Sequence, residues 1–292
     1  MFCDNLAINE MNPGMAGFLV AKKRMVELNG GMQQGIVYLL GAGPGDPGLI
    51  TVRGRELVGM AEVLVYDALS SAEMLNWAPA ACERIFVGKR ASRHALPQEE
   101  INALLVRLGR AGKKVVRLKG GDPYVFGRGG EEADALHEAG IPFEVVPGIS
   151  STIGGLTYAG IPVTHRDFAS GFHVVTGHTR EGNQQQDWRQ LAKLNGTLVI
   201  VMGIANLAFI CEELLMGGKS ADTPAALIMS ATRDNQRRLT CTLGSLLSKA
   251  QEANILPPAL IVIGDVVTLS DRLSFIPEAF KLPENLYCDS LA

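Results

Sequence analysis

No two of the five cysteines in this chain of 292 residues form a C-x-x-C pair; Cys3, Cys82, Cys211, Cys241 and Cys288 are scattered. That spacing suggests neither a zinc knuckle nor a disulfide framework, and it points to a reducing compartment. The five histidines form no H-E-x-x-H or comparable cluster, so no metal is expected. No apolar run approaches the ~18 to 20 residues needed to span a bilayer. Residues 15 to 21 are mildly apolar, but Lys22, Lys23 and Arg24 follow them, the reverse of the order in a secretory signal. A cytoplasmic protein with no membrane partner is expected. Basic charge is not in excess either. The 27 Lys and Arg against 30 Asp and Glu leave a net charge of -3, which excludes a generally basic nucleic-acid binder. A local cationic pocket remains compatible with that balance. No period of 20 to 50 residues recurs, so a repeat architecture is not expected.

Glycine is abundant instead: 33 residues, roughly one in nine, against about one in fourteen in an average chain. Five fall within Leu118 to Glu132, LKGGDPYVFGRGGEE, where they flank a short aromatic and aliphatic patch among charges. Glycine destabilises regular elements, so this density implies positive φ angles or a ligand against the main chain. Upstream, KKVVRL at 113 to 118 suits a strand, and Glu131 to Ala139 suits a helix. The loop is therefore a strand-to-helix connection, and in open parallel sheets ligands bind beyond the carboxyl ends of strands. A second such connection opens the ordered part. Ile36 to Leu40 runs into GAGPGDPG at 41 to 48 and then a helical stretch, Leu49 to Met60. Gly41 and Gly43 satisfy the first two positions of a dinucleotide fingerprint. Asp46 stands where the third glycine belongs, Pro44 removes an amide donor, and a carboxylate there would repel a pyrophosphate. Val63 to Tyr66 makes another strand ending at Asp67, which would hold the ribose hydroxyls in a nicotinamide enzyme but, as a lone acid after a strand, is more often a helix cap.

The length suggests two domains, and 47% hydrophobic with 20% charged residues suits an ordinary globular protein. Residues 1 to 35, with Met11, Met15, Met25 and Met32 among polar and glycine residues and no clear periodicity, read as a disordered extension or an over-long start. A βα repeat follows: a strand at Arg84 to Val87, a helix over Gln98 to Arg110, a strand at Phe143 to Val146 and a helix over Ser150 to Ala159. An N-terminal α/β domain over 36 to 148 and a C-terminal one over 149 to 274 are expected, with a tail over 275 to 292. In the second domain, strands are expected at 172 to 176, 197 to 202, 225 to 229, 238 to 241 and 260 to 263. Helices are expected over 187 to 194 and 206 to 217. The polar turn ATRDNQRRL has hairpin length, so that sheet is expected to be mixed.

Taken in order, these loops resemble the tetrapyrrole methylases, and among them the enzymes that act on uroporphyrinogen-III. The resemblance covers roughly Val37 to Ser274. It rests on GAGPGDPGLITVRG at 41 to 54, VYD at 65 to 67, VGKR at 87 to 90, PQEEIN at 97 to 102 and VVRLKGGDPYVFGRGGEE at 115 to 132. VVPGIS at 145 to 150, AGIPVTHRD at 159 to 167, VTGH at 175 to 178 and a strand ending in Met202-Gly203 complete the series. The family's fold is two α/β domains, the first mostly parallel and the second mixed, with S-adenosylmethionine folded into the cleft between them. The resemblance implies cofactor contacts at Pro44, Gly120, Gly121, Asp122, Val125, Ser150, Ser151, Met202 and Ala231. Ser150 and Ser151 replace a common threonine and alanine, and the methyl of Ala231, where glycine is common, is expected to narrow the pocket. Asp122 is expected to hold a ribose hydroxyl or the ammonium, with an N-cap to the next helix as the alternative.

The implied substrate carries eight carboxylates, so cations are expected around it: Arg53, Lys89, Arg90, Lys119, Arg128 and Arg166 lie in or beside the motif loops. Arg128, Glu131 and Arg166 stand foremost among the substrate-side residues. The implied reaction is attack of two pyrrole carbons in turn on the cofactor methyl, giving precorrin-2 and S-adenosylhomocysteine. Proton removal is implied for Asp67 and Lys89, with Arg128 a rival; arginine is a poor base, which favours an orienting role for it. A homodimer without nucleic-acid partner and without a preceding dehydrogenase domain is expected. The competing readings are a sister methylase acting on a later corrinoid intermediate and an NAD-dependent dehydrogenase resting on Gly41, Gly43 and Asp67 alone.

Overall fold

The computed structural model describes residues 35–69, 72–88, 96–178 and 186–275. Lys89 and Arg90, nearly all of the expected N-terminal extension and nearly all of the C-terminal tail lie outside them. The first domain strings together β1 (Ile36–Gly41), α1 (Val52–Gly59), β2 (Val63–Tyr66), α2 (Ala72–Asn76) and β3 (Glu83–Phe86). It continues with α3 (Gln98–Arg110), β4 (Lys114–Lys119), α4 (Gly129–Glu138) and β5 (Phe143–Val146). The helix expected over Leu49 to Met60 is divided. Asp46 accepts from the Gly48 amide at 2.7 Å and starts a 3-10 turn over Pro47–Leu49. Thr51 then caps α1 by accepting from the Gly54 amide at 3.0 Å.

All strands of this sheet run parallel, in the order β3-β2-β4-β1-β5. Steps from β1 to β2 to β3 go one way, and their helices put Leu57, Val58 and Met74 on one face against Leu40, Leu64 and Leu118. Steps from β3 to β4 to β5 go the other way, with Leu104, Leu105 and Leu136 on the opposite face against Leu39, Val65 and Val115. Right-handed crossovers demand this division. The reversal falls between the neighbours β1 and β4, whose loops leave toward opposite faces and open a crevice at the carboxyl ends of the strands.

Past Pro147 the chain enters α5 (Ser151–Tyr158), β6 (Phe172–Thr176), the single turn α6 (Trp188–Leu191), β7 (Thr197–Val201) and α7 (Leu207–Met216). Then come β8 (Pro224–Met229), β9 (Arg237–Thr242), α8 (Leu246–Glu252) and β10 (Ala259–Ile263). The second sheet, β6-β7-β10-β8-β9, is mixed: β6 pairs parallel with β7, and the other three pairs are antiparallel. Every residue of β7 and β10 is buried, which is why both read as unbroken apolar runs. Leu156 of α5 packs into this second core with Val199, Ile228 and Val262. Since β10 opposes both β7 and β8, the carboxyl ends of β6, β7 and β8 share one edge. The loops that follow those ends face the crevice of the first domain.

Candidate functional site

The base of the cleft is built from bare backbone. Gly43 and Gly121, on the loops after β1 and β4, exchange two hydrogen bonds of 3.1 and 2.7 Å. A methyl group at Gly41 would stand 2.6 Å from the Gly148 backbone and 2.7 Å from the Gly121 carbonyl, so a third loop, after β5, leaves no room for a side chain. Gly120 makes way for the Leu69 side chain, 2.5 Å from where its Cβ would be. At Gly121 nothing lies within 3.9 Å of such a Cβ, and the requirement there is conformational, a φ of +69°. The expectation that these glycines are bare for a ligand's sake is thus revised: three loops first pack on one another. Asp122 ties them together. Its two carboxylate oxygens accept from the Tyr124 amide at 2.8 Å and the Gly148 amide at 2.9 Å. It does not cap α4, because Arg128 holds that position with a left-handed φ of 59°.

Further along the same loop a cavity of about 940 Å³ opens between the domains. The first domain contributes Pro97, Gln98 and Glu99 at the start of α3, and Tyr124, Phe126, Arg128, Gly129, Gly130 and Glu131. The second contributes Thr176, His178 and Met202. Tyr124, Phe126 and Met202 are large side chains left 44 to 58% exposed here, a wall suited to a flat or apolar ligand. Arg128 forms a two-pronged pair with Glu131 at 2.8 and 2.7 Å. That hydrogen bond holds the guanidinium pKa above its ordinary value. Six non-glycine residues have positive φ among those described, and Phe126, Arg128, Met202, Ser230 and Thr232 all lie on loops at the facing edges. Each such conformation costs on the order of 1–3 kcal/mol, and such strain gathers at functional sites.

Of the expected substrate and cofactor residues, Arg128, Glu131 and Met202 line the cavity. Gly120, Gly121, Asp122 and Val125 are not among its lining residues; the first three belong to the interlocked loops, where Gly121 pairs with Gly43 and Asp122 holds the Gly148 amide. Ser150 caps α5, accepting from the Thr152 amide at 3.3 Å, and Ser151 is its first residue. Ala231 is buried, and its methyl fills the space left bare by Gly155, 2.9 Å from the Cβ that glycine lacks. That methyl belongs to the second core rather than narrowing the cleft. Arg166 is exposed on the turn after α5 and lies outside the cavity lining. Arg53 sits on α1, on the opposite face of the sheet from α3 and α4, and forks onto Glu144 at 3.1 and 3.0 Å. It is not a cavity cation. Gln98, Glu99, Tyr124, Phe126, Thr176 and His178 were not anticipated, although PQEEIN and VTGH had been marked as motifs.

Lys119 also departs from expectation. Odd-numbered positions of β4 face α4, so Val115, Arg117 and Lys119 share that side while Val116 and Leu118 face the other. Both cations are buried, and both converge on Glu132, which is fully buried in the first turn of α4. Its Oε1 accepts from Lys119 Nζ at 2.9 Å, Arg117 Nε at 3.2 Å and Gln98 Nε2 at 3.3 Å, and Oε2 has no hydrogen-bond partner among the described residues. Burial, then the Arg117 charge, pushes the Lys119 pKa down, opposed by Glu132. Arg117 Nη2 reaches Asp67 Oδ2 at 3.3 Å, and Asp67 Oδ1 accepts from the Leu69 amide at 3.0 Å.

Across the cleft the domains are tied beside the proline-glycine turn. Tyr158 donates to Asp46 Oδ2 at 2.7 Å, the Asp46 amide donates to Thr232 Oγ1 at 3.0 Å, and Arg233 Nη2 donates to the Leu69 carbonyl at 3.0 Å. Burial and the hydrogen bond to Asp46 raise the Tyr158 pKa to about 12. This acidic turn, followed by a 3-10 segment before α1 begins at Val52, offers no helix terminus to a pyrophosphate. Among the described residues no group of three or more His, Cys, Asp or Glu could hold a metal ion, and no helix is long and apolar enough to cross a membrane.

Comparison with known proteins agrees with this geometry. The chain is 51% identical over 246 residues to the uroporphyrinogen-III C-methyltransferase of Bacillus subtilis, covering 84% of this chain and 51% of that protein. It is 47% identical over 250 residues to the siroheme synthase of Nitrosospira multiformis, covering 86% and 53%. The chain spans about half the length of the curated relatives it matches. Among solved structures, the uroporphyrin-III C-methyl transferase of Thermus thermophilus complexed with S-adenyl homocysteine superposes with a TM-score of 0.68 at 41% identity, covering 79% of this chain and 92% of that one. A cobalt precorrin-4 methyltransferase gives 0.72 at 27% identity, covering 80% and 95%. The family model for tetrapyrrole (corrin/porphyrin) methylases matches residues 36–247. This chain belongs to the tetrapyrrole methylase family.

Proposed function

We propose that the chain is an S-adenosylmethionine-dependent C-methyltransferase that adds two methyl groups in succession to uroporphyrinogen-III, giving precorrin-2. The observation that carries this reading is the two-part cleft. A base of interlocked glycine loops continues, along a single segment from Gly120 to Glu131, into a large cavity walled by Tyr124, Phe126 and Met202 and flanked by the Arg128 fork. The methyl donor requires carbonyls, hydroxyls and an apolar wall rather than a phosphate nest, and its bound form supplies an electrophilic methyl group. Pro44, Gly120, Gly121, Asp122, Val125, Ser150, Ser151, Met202 and the Ala231 backbone are the residues we assign to it. Asp122 would act chiefly by bracing the loops, since both its oxygens already accept backbone amides.

Arg128 and Arg166 are assigned to the carboxylates of the macrocycle, with Glu131 on the substrate side as the partner that holds the Arg128 fork, and neither Arg53 nor Lys119 is retained in that role. The Arg128–Glu131 pair is exposed, and a substrate carboxylate can replace Glu131 on the guanidinium fork. Asp67 and Lys89 are assigned to proton removal, while alignment of carbon and methyl supplies most of the acceleration. The names of the curated relatives support the first methylation step, and identity favours it over the corrinoid methylase whose backbone superposes equally well. A cytoplasmic homodimer goes with this reading. Incubation with uroporphyrinogen-III and isotopically labelled S-adenosylmethionine tests it by mass spectrometry. Two methyl groups per macrocycle are expected. Methylation of a later corrinoid alone, or NADH binding without S-adenosylhomocysteine binding, would overturn it.

A further inference from the structure

The buried charges beneath the cleft have no part in the contacts assigned so far. Val116 and Leu118 show what β4 does where only packing matters, and on the same strand Arg117 and Lys119 take positions that valine or leucine would fill. Replacing a buried ion network by apolar residues is often neutral or stabilising, so stability alone does not account for it. Its geometry has a direction. Arg117 offers a rigid planar fork, with Nε on Glu132 at 3.2 Å and Nη2 on Asp67 at 3.3 Å. Asp67, 23% exposed at its side chain, is the member that reaches solvent. At the other end Glu132 lies next to Glu131 in the first turn of α4. Gln98 binds both Glu132 and Asn102, and Asn102 in turn donates to the Glu131 carbonyl at 3.3 Å.

We propose that Arg117 and Glu132 are positioning residues for methyl transfer, a buried strut that fixes the Asp67 carboxylate relative to the Arg128–Glu131 end of the cleft. The proposal rests on the methylase reading above and adds two residues to it. Lys119 places a second positive charge against Glu132, its Nζ 2.9 Å from Oε1, and the formal charges of the four side chains sum to zero. A lysine at 117 would keep that sum but could meet only one of the two carboxylates. An aspartate at 132 would keep it as well but falls one methylene short of spanning both cations.

The test uses the full chain with Arg117→Lys, Glu132→Asp, Asp67→Asn and the double variant Arg117→Lys with Asp67→Asn. Charge-conserving changes are chosen so that the fold survives, and Glu132→Asp carries the test if Arg117→Lys does not fold. S-adenosylhomocysteine affinity, measured by calorimetry, is expected to stay within about twofold, and KM for uroporphyrinogen-III within about threefold. For a displaced carboxylate kcat is expected to fall roughly 10- to 100-fold. Since Arg117 acts through Asp67, the double variant is expected to be no slower than Asp67→Asn alone. Wild-type kcat in both charge-conserving variants, multiplicative losses in the double variant, or a KM that rises while kcat holds would each overturn the strut. Failure of the methylase reading would show separately, as a wild-type chain that transfers no methyl group.

Discussion

Replacing Asp122 by asparagine separates two roles for one carboxylate. In the native loop both oxygens are acceptors, for the Tyr124 amide at 2.8 Å and the Gly148 amide at 2.9 Å. An asparagine side chain has one oxygen and one NH2 group, so whichever way it turns, one backbone N–H faces another donor. The lost bond is to an ionised acceptor, worth about 1.5–3 kcal/mol, and partial solvent access favours the lower end, about 1.5–2 kcal/mol. For a chain of this size that corresponds to a fall of about 3–8 °C in Tm. The assay is a thermal melt of Asp122→Asn without ligand, followed by titration with S-adenosylhomocysteine. A lower Tm with weakened affinity is expected, because the Gly121 and Gly148 loops lose their tie before any ligand arrives. An unchanged Tm with weakened affinity would refute the brace and make Asp122 a ligand contact only.

Tyr158→Phe removes the phenol that joins the domains through Asp46, at a cost near the low end of about 1.5–3 kcal/mol in neutral urea unfolding. Burial and Asp46 raise the folded pKa of Tyr158 to about 12 from 10.0. Its contribution is therefore complete below the unfolded value and is lost as pH climbs through the folded one, so the variant should lose less stability than wild type across that window. Gly41→Ala should destabilise more than Gly121→Ala: the first forces a methyl to 2.6 Å from backbone, about 3 kcal/mol, while the second meets only ordinary contacts of 3.9 Å and beyond and costs about 1–2 kcal/mol for its φ. Urea midpoints in the reverse order would contradict the packing argument. Arg53→Met should leave KM for the tetrapyrrole unchanged and cost less than about 1 kcal/mol, since its pair with Glu144 is 45% and 38% exposed.

Much of this fold was legible because its strands are short, apolar and separated by glycine turns; Val63–Tyr66, Phe143–Val146, Phe172–Thr176 and Gln98–Arg110 fall at the residues expected. Two short helices, Ala72–Asn76 and Leu246–Glu252, went unseen because a turn or two of helix carries too little periodicity to stand out. The glycine loops were recognisable as a site, but not the reason for each glycine, which depends on a loop more than 25 residues away in the case of Gly121 and Gly148. Lys119 misled for a related reason. A lysine ending a strand reads as solvated, and only the return of α4 across β4 brings Glu132, thirteen residues on, within 2.9 Å of it. Asp46 was identified as hostile to a pyrophosphate, yet its partner Tyr158 is 112 residues distant and no local pattern joins them.

The left-handed residues around the cleft set a limit on how stable this protein can become. Phe126 at φ 52° and Met202 at φ 55° occupy conformations in which glycine would be at ease, and both present their side chains to the cavity. Glycine at either place would raise the melting temperature and strip the wall that a ligand leans on. Selection for heat resistance alone would thus erode the cleft from these two positions first, and a thermostabilised variant that keeps its turnover must gain its stability elsewhere.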